Sequence, residues 1–221
     1  MIKHILFDAF GTLFAVERGS SANAVLTVLK NHHISIDEGI FHHEWKSFYA
    51  QAASSSVFQT ERHIFTSRIH YFLDRYTLSV SAEKMVDEAL CVARKRSIYP
   101  DVLPLLHFLS HHYSLSIASN TDNIVLQAVM ERHPLPVHSI FTSEDLQCYK
   151  PSPAFYSKIL NHLQFEPSQC LFFGDIYEED VKGPSSAGMH AVLLNRVGTH
   201  LFPCSSIETL LDLPKFIAEI S

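Results

Sequence analysis

Five short, largely apolar runs, separated by longer segments with helical patterns, limit the folds open to this chain. The runs occupy residues 5–7, 115–119, 139–142, 170–173 and 191–194. Short apolar runs of this kind are typical of strands that are buried on both faces of a sheet. Because the runs alternate with helical segments, they favour right-handed crossovers between parallel strands. The sequence therefore predicts an α/β protein with a Rossmann-like, doubly wound parallel sheet.

Between the first and second runs lies a long segment with helical patterns. Apolar residues recur there at helical spacing, at Phe65, Ile69, Phe72 and Tyr76. Ser81 is suited to cap the last helix of the segment, and the first proline of the chain is Pro100. Further helices are predicted at residues 20–33, 38–53, 101–112, 122–132, 153–163 and 205–219. We predict an inserted four-helix cap over residues 16–97, and an α/β core built from residues 1–15 and 98–221.

Composition excludes several classes of protein. The 17 basic and 23 acidic residues give a net charge of −6 at pH 7, which argues against general binding to nucleic acid or to anionic membranes. The four cysteines form no CxxC pair, so a zinc site is not expected. No apolar stretch is long enough to span a bilayer. Since no export signal follows Met1, we expect a cytoplasmic protein, monomeric or homodimeric.

Side chains capable of chemistry stand where the predicted strands end. The carboxyl ends of parallel strands form one edge of a sheet, and ligands bind there. The residues at these ends are Asp8 and Thr12 after the first strand, Ser119 and Asn120 at the second, Lys150 after the third, and Asp175 and Asp180 after the fourth. A single aspartate after a strand is most often a turn residue. The whole set on one edge instead predicts a functional site.

This set suits a phosphate and a hard cation. Asp8 and Asp175 offer the carboxylate oxygens that Mg²⁺ prefers. Lys150 would offset the negative charge of the carboxylates and of the phosphate. Thr12, Ser119 and backbone N–H groups at the turns would hold the phosphate oxygens. We therefore expect a bound Mg²⁺ and a small phosphorylated substrate.

The same residues carry a family resemblance. Four stretches resemble the four motifs of the haloacid dehalogenase superfamily: FDAFGTL at residues 7–13, SN at 119–120, KP at 150–151, and GD at 174–175 with Asp180 five residues on. The run DVKGPSSAGM at residues 180–189 is similar to the helix that follows the fourth motif in that family. A helical cap between the first two motifs is also a family feature, so the resemblance covers the whole chain.

This resemblance implies three catalytic roles. Asp8 resembles the nucleophile, which forms an aspartyl ester with the substrate and so splits one difficult displacement into two steps. Ser119 resembles the residue that hydrogen-bonds the transferring group. Lys150 resembles the lysine that orients the nucleophile and stabilises negative charge in the transition state.

The resemblance also implies a ligand set for Mg²⁺ and contacts to the substrate. Asp175 resembles the magnesium carboxylate beside Asp8, and Asp180 resembles its partner, a direct or water-mediated ligand. The backbone carbonyl of Phe10 would be a further ligand. Thr12 and Asn120 would contact the substrate.

Phe10 departs from the phosphatase branch of the family, which usually has a second aspartate there as general acid and base. An aromatic residue at this position resembles the 2-haloacid dehalogenase branch, whose halide leaving group needs no proton. Lys46, beside Trp45, and Tyr156 stand where that branch has residues of its substrate site. We therefore include Lys46 and Tyr156 as candidates for substrate binding, although a surface lysine and a packed tyrosine are the simpler interpretations.

The fourth motif favours a phosphatase. Dehalogenases of this family lack the metal, whereas Asp175, Glu178, Glu179 and Asp180 would repel one another without a cation. We expect a Mg²⁺-dependent hydrolase of a phosphatase-like subgroup, which forms an aspartyl-phosphate on Asp8. Two alternatives stay open: a metal-free 2-haloacid dehalogenase, and a catalytically degenerate binding protein on the same fold.

Pro184 falls within the predicted helix after the fourth motif. Proline in a helix interior costs about 3 kcal/mol or more, but proline in the first turn is tolerated. We therefore predict that this helix begins late, near residues 182–184.

Overall fold

In the part of the chain that the structure describes, six parallel strands form one sheet. These are β1 (His4–Phe7), β2 (Ser114–Ser119), β3 (Ser139–Thr142), β4 (Cys170–Gly174), β5 (His190–Leu194) and β6 (Ser206–Ile207). Their order across the sheet is β3-β2-β1-β4-β5-β6, and each neighbouring pair is parallel. β1 and β4, at the centre, are buried at every position. The predicted α/β class and doubly wound sheet are confirmed.

The computed structural model describes residues 1–16, 20–53, 55, 57–75, 80–196, 198 and 203–220. Their α-helices are α1 (Ser20–Asn31), α2 (Glu38–Ala53), α3 (Glu61–Arg75), α4 (Ala82–Arg94), α5 (Val102–Ser110), α6 (Asn123–Arg132), α7 (Ser143–Leu146), α8 (Pro153–Leu163), α9 (Gly183–Ser186) and α10 (Leu213–Ile220). Short 3-10 helices span Pro167–Gln169 and Leu210–Asp212, and a π-helix spans Tyr177–Lys182. Tyr76, predicted on the face of α3, lies outside the described residues. None of the described helices combines the length and the hydrophobicity that crossing a bilayer requires.

The strand register brings the functional ends of the sheet together. Phe7, the last residue of β1, pairs with Ile117 in β2 and with Phe173 in β4. β2 and β3 lie on one side of β1, whereas β4 and the later strands lie on its other side, so the strand order reverses between β1 and β4. In doubly wound sheets, ligands bind at the carboxyl ends of the strands where this reversal occurs. Asp8 and Asp175 follow the two strands at that point.

The chain divides into two compact units. The first comprises residues 1–15, 97–120 and 133–221, and it contains the sheet. The second comprises residues 16–96 and 121–132, and it contains α1 to α4 together with α6. The interpretation of residues 16–97 as a cap on a catalytic core stays a prediction.

An aromatic cluster forms part of the core of the second unit. The Trp45 ring stacks on Phe41, with 5.6 Å between ring centroids, and Phe41 lies 5.0 Å from Phe72. Trp45 also packs on Phe65 at 5.1 Å. At the start of α4, the Ser81 side chain accepts a hydrogen bond from the backbone N–H of Lys84 (3.3 Å), so the predicted N-cap is confirmed.

The prediction of one helix over residues 205–219 is wrong. Ser206–Ile207 instead form β6, because the free edge of β5 pairs with them, and α10 begins only at Leu213. The Thr209 side chain caps the intervening 3-10 helix by accepting the N–H of Leu211 (3.3 Å). Pro214 then lies in the first turn of α10, where its missing N–H costs nothing. Sequence reasoning also missed α7, which Thr142 caps through the N–H of Asp145 (3.0 Å).

The segment around Pro184 agrees only in part with the prediction. α9 begins at Gly183 with Pro184 in its first turn, as expected. The preceding residues are also helical, however, as the π-helix Tyr177–Lys182, in which the N–H of Gly183 donates to the Glu178 carbonyl. In the same register the Glu179 carbonyl would need an N–H on residue 184, which proline lacks. The hydroxyl of Tyr156 donates to that carbonyl instead.

We expect Tyr156→Phe to lower the free energy of unfolding by roughly 1–2 kcal/mol, because a shielded carbonyl loses its donor. Urea denaturation measures the loss. In a Pro184→Ala background, residue 184 has a backbone N–H again, and in the π-helical register this N–H can donate to the Glu179 carbonyl. The same Tyr156→Phe change should therefore cost less there, and an equal cost in both backgrounds would contradict this interpretation.

Candidate active site

A buried lysine joins two carboxylates at the carboxyl edge of the sheet. Lys150 is 2% exposed, and its Nζ donates to Asp8 Oδ1 (2.8 Å) and to Asp180 Oδ1 (2.6 Å). The Phe172 ring lies on another side of the ammonium, 5.3 Å from Nζ to the ring centroid. Burial alone would lower the pKa of Lys150, but the charges of Asp180 and Asp8 outweigh burial and hold the pKa well above its ordinary value. Lys150 is therefore a fixed cation.

Side-chain hydrogen bonds from the described residues hold the Asp8 carboxylate through one of its oxygens. Its backbone N–H donates to the Phe173 carbonyl (2.8 Å), which extends the β1–β4 pairing by one residue. Both side-chain hydrogen bonds that reach its carboxylate from the described part of the chain end on Oδ1, one from Lys150 and one from Ser119 Oγ (3.2 Å). A carboxylate held through one oxygen can present the other to an electrophile.

Three carboxylates crowd together around this point. One oxygen from each of Asp8, Asp175 and Asp180 lies within 4.8 Å of the other two. Thr12 Oγ1 donates to Asp175 Oδ1 (3.3 Å), and the N–H of Ile176 donates to Asp180 Oδ2 (2.9 Å). Burial, together with the charge of Asp8, raises the pKa of Asp175 to about 8 and that of Asp180 to about 6. Oxygen ligands at this density fit a hard divalent cation.

Two glycines make room for these carboxylates. A Cβ on Gly11 would overlap the carboxylate of Asp175, and a Cβ on Gly174 would overlap that of Asp180. Gly11 also has φ of +101°, a conformation that other L-residues rarely adopt. The close approach of Asp175 and Asp180 to the backbone therefore requires glycine at both positions.

Asn120 holds the backbone of Lys150. Its Oδ1 accepts the N–H of Lys150 (2.7 Å), and its Nδ2 donates to the Lys150 carbonyl (3.0 Å) and to Glu179 Oε2 (2.9 Å). Burial raises the pKa of Glu179 to about 8. Sequence reasoning had left Glu179 without a role. Here Glu179 anchors the amide that positions Lys150.

The other predicted site residues have different surroundings. The ring of Phe10 packs beside Phe14, with 6.0 Å between centroids, and the role of its carbonyl as a metal ligand stays a prediction. Tyr156 is fully buried, and its hydroxyl is bonded to the Glu179 carbonyl. Lys46 is exposed on α2 in the second unit. The structure thus brings Asp8, Thr12, Ser119, Asn120, Lys150, Asp175 and Asp180 into one hydrogen-bonded and electrostatic cluster.

Sequence reasoning missed the ion pair between Arg196 and Asp101, which lies next to Thr12. Arg196 comes two residues after β5. The sequence could have identified Arg196, because the rule that functional groups follow strand ends applies to the fifth strand as well.

Comparison with known proteins identifies related sequences. A model of the haloacid dehalogenase-like hydrolase family matches residues 2–188. A glyceraldehyde 3-phosphate phosphatase of Methanopyrus kandleri is 26% identical over 44% of this chain, and the match spans 43% of that enzyme. The enzyme of the same name from Methanothermobacter thermautotrophicus is 23% identical over 88% of this chain and 86% of its own length.

Solved structures share the fold. The HAD-hydrolase YfnB of Bacillus subtilis, solved with magnesium bound, has a TM-score of 0.80 at 18% identity, over 98% of this chain and 99% of that chain. The L-2-haloacid dehalogenase of Xanthobacter autotrophicus has a TM-score of 0.78 at 20% identity, over the full length of both chains. These likenesses concern the fold alone, and they include a dehalogenase, one of the enzyme types that the sequence left open.

The raised pKa of Asp175 predicts how stability depends on pH in EDTA. The native state holds this proton up to about pH 8, whereas the unfolded chain loses it near pH 4. Native protein therefore binds more protons in that window, and its stability falls as pH rises. We expect Asp175→Asn to raise the melting temperature at pH 8.5 and to change it much less at pH 5.

The control is Glu219→Gln, which neutralises an exposed carboxylate on α10 of the same unit. It should alter the melting temperature little at either pH. An Asp175→Asn variant that is less stable than wild type at pH 8.5 in EDTA would contradict the crowding of charge described above.

Proposed function

This chain belongs to the haloacid dehalogenase-like hydrolase family, and we propose that it is a Mg²⁺-dependent phosphatase that acts on a small phosphorylated metabolite. The single observation that carries the proposal is the cluster of Asp8, Asp175 and Asp180 around the buried ammonium of Lys150. The two relatives named as glyceraldehyde 3-phosphate phosphatases support the same reaction class.

The donor set fits Mg²⁺. The three carboxylates that approach one another offer hard oxygen ligands, and Lys150 alone cannot balance their charge. Asp8 and Asp175 would hold the ion, with Asp180 and the Phe10 carbonyl as further ligands. When bound, Mg²⁺ would offset the negative charge of the phosphate and of the carboxylates.

The residues of the chain divide the chemistry among them. Asp8 would attack the phosphorus, forming a P–O bond as the bond to the leaving oxygen breaks, which yields an aspartyl-phosphate. Lys150 and Ser119, both bonded to Asp8 Oδ1, would hold the attacking group in line. Water would then attack the phosphorus of that intermediate and release phosphate and free Asp8.

Residues 1–15 and 98–221 would form the catalytic core, and residues 16–97 would form the cap that selects the substrate.

Phe10 limits the leaving groups that this site can handle. A phenyl ring cannot donate a proton to the departing oxygen, and general acid catalysis contributes about 10²–10⁴-fold where it operates. Acyl and aryl phosphates, whose leaving groups are weak bases, need that help least. We therefore propose that the substrate has a good leaving group.

A metal-free 2-haloacid dehalogenase is the second candidate. Phe10 favours it, since a departing halide needs no proton, and dehalogenases are among the solved structures with this fold. The acidic cluster argues against a dehalogenase, because Asp175, Glu179 and Asp180 would not help to bind a negatively charged haloalkanoate. We rank the phosphatase first on that charge argument.

We expect hydrolysis of p-nitrophenyl phosphate that requires Mg²⁺ and is lost in EDTA. Asp8→Asn should reduce it to the background rate, because an amide is a poor nucleophile. Glu178→Gln is the matched control, since this carboxylate of the same motif is exposed and pairs with Lys182 at 2.9 Å; it should keep its activity. Phosphatase activity that survives EDTA or Asp8→Asn would remove the proposal. Halide release from 2-chloropropionate in EDTA would establish the dehalogenase.

We expect wild type to hydrolyse acetyl phosphate far faster than glycerol phosphate. Phe10→Asp should raise the rate on glycerol phosphate by about 10²-fold, because the new carboxyl can protonate the leaving oxygen, and should change the rate on acetyl phosphate little. Phe10→Asn introduces a side chain of nearly the same shape as Phe10→Asp does, but this side chain cannot transfer a proton. Equal gains from Phe10→Asp and Phe10→Asn on glycerol phosphate would contradict this explanation.

A further inference from the structure

Arg196 makes a three-point contact beside the loop that follows β1. Its two terminal nitrogens donate to Asp101 Oδ2 (2.9 Å) and Oδ1 (3.0 Å). The second of these nitrogens also donates to the backbone carbonyl of Thr12 (3.1 Å). The guanidinium carbon lies 3.9 Å from the centroid of the Tyr99 ring. One planar group thus joins an acidic side chain, an aromatic face and a backbone carbonyl.

The Asp101 side of this contact is firmly anchored. Its carboxylate also accepts Thr209 Oγ1 (3.2 Å) and the N–H of Leu210 (3.3 Å). Burial would raise the pKa of Asp101, but the hydrogen bonds and charge of Arg196 outweigh burial and lower it. Asp101 therefore stays ionised at neutral pH and holds Arg196 in one orientation.

Thr12, on the other side, connects this contact to the acidic cluster. It is fully buried, and its carbonyl faces Arg196 while its hydroxyl donates to Asp175 Oδ1 (3.3 Å). The loop around it is closed by its own backbone, because the N–H of Gly11 donates to the Phe14 carbonyl (2.9 Å) and the N–H of Leu13 donates to the Ala9 carbonyl (2.9 Å). The carbonyl and the hydroxyl belong to one residue of this closed loop, so a shift of the Thr12 carbonyl also displaces the Thr12 hydroxyl.

We propose that Arg196 is a positioning residue for the cation site: it fixes the Thr12 loop against Asp101, and Thr12 in turn fixes the carboxylate of Asp175. This inference rests on the proposed function, because it assigns Arg196 an effect on Mg²⁺ affinity. Groups that orient a metal ligand through a hydrogen bond typically change metal affinity by about 10–100-fold when removed.

An arginine suits this position better than a lysine would. The planar fork can serve both oxygens of Asp101 and still direct one N–H at the Thr12 carbonyl, and its flat face stacks on Tyr99. A lysine keeps the charge and much of the aliphatic stem, but its single ammonium cannot reproduce that set of directions. Arg196→Lys therefore removes the fixed directions of the hydrogen bonds to Asp101 and Thr12 and retains the positive charge.

The test is isothermal titration of Mg²⁺ into the metal-free full-length protein at pH 8. We expect Arg196→Lys to weaken Mg²⁺ binding by about 10-fold. Thr12→Val, which removes only the hydroxyl on Asp175, should weaken binding by a similar factor. Thr27→Val is the matched control, because the Thr27 hydroxyl is exposed on α1 and donates to the Asn23 carbonyl of its own helix (2.7 Å); its affinity should stay within about 2-fold of wild type.

Circular dichroism in EDTA checks that each variant is folded. If Arg196→Lys does not fold, Thr12→Val with its Thr27→Val control still decides whether Thr12 transmits the effect. Unchanged Mg²⁺ affinity in folded Arg196→Lys, while Asp175→Asn abolishes binding, overturns the role of Arg196 and leaves the proposed function standing. A wild-type protein that binds no Mg²⁺ overturns both.

Discussion

The contact between the Lys150 ammonium and the carboxylates of Asp8 and Asp180 is the interaction on which the rest of this structure depends. It places a single positive charge, almost wholly buried, among carboxylates contributed by the segments that follow β1 and β4. Removal of the lysine would leave buried carboxylates without a compensating positive charge, which is far more costly than the loss of a surface ion pair. Even with Lys150 present, negative charge is in excess, and such an excess of carboxylate oxygens favours a bound cation.

The sheet explains how these charges come together, and the surrounding residues explain how they stay in place. β1 and β4 are neighbours because the strand order reverses between them, so their carboxyl ends deliver Asp8 and Asp175 to the same point. Asn120 fixes the backbone of Lys150, and the glycines at 11 and 174 allow the carboxylates to approach the chain. Arg196 completes this support from the end of β5. The reactive groups are thus held by hydrogen bonds rather than by burial alone.

Much of this arrangement could be predicted from the sequence. The central strands carry continuous apolar runs, and polar residues after such runs must meet at one edge; this reasoning identified Asp8, Ser119, Asn120, Lys150, Asp175 and Asp180. Interactions between side chains and distant backbone could not be predicted. No local sequence pattern indicates that the Tyr156 hydroxyl donates to the Glu179 carbonyl, which Pro184 leaves without a backbone donor. Nor does any local pattern indicate that Asn120 bonds the backbone of Lys150. β6 was missed because two residues on a sheet edge carry no periodicity.

The most direct test of the central claim, that Asp8 accepts the phosphoryl group while Lys150 holds it, is to trap the covalent intermediate. The protein would be mixed with radiolabelled acetyl phosphate and Mg²⁺, then quenched in acid during turnover. We expect a label that is stable in acid, is released by hydroxylamine as an acyl phosphate would be, and maps to the peptide that contains Asp8. A label that persists in Asp8→Asn, or wild-type turnover with no trapped label on that peptide, would contradict the role assigned to Asp8.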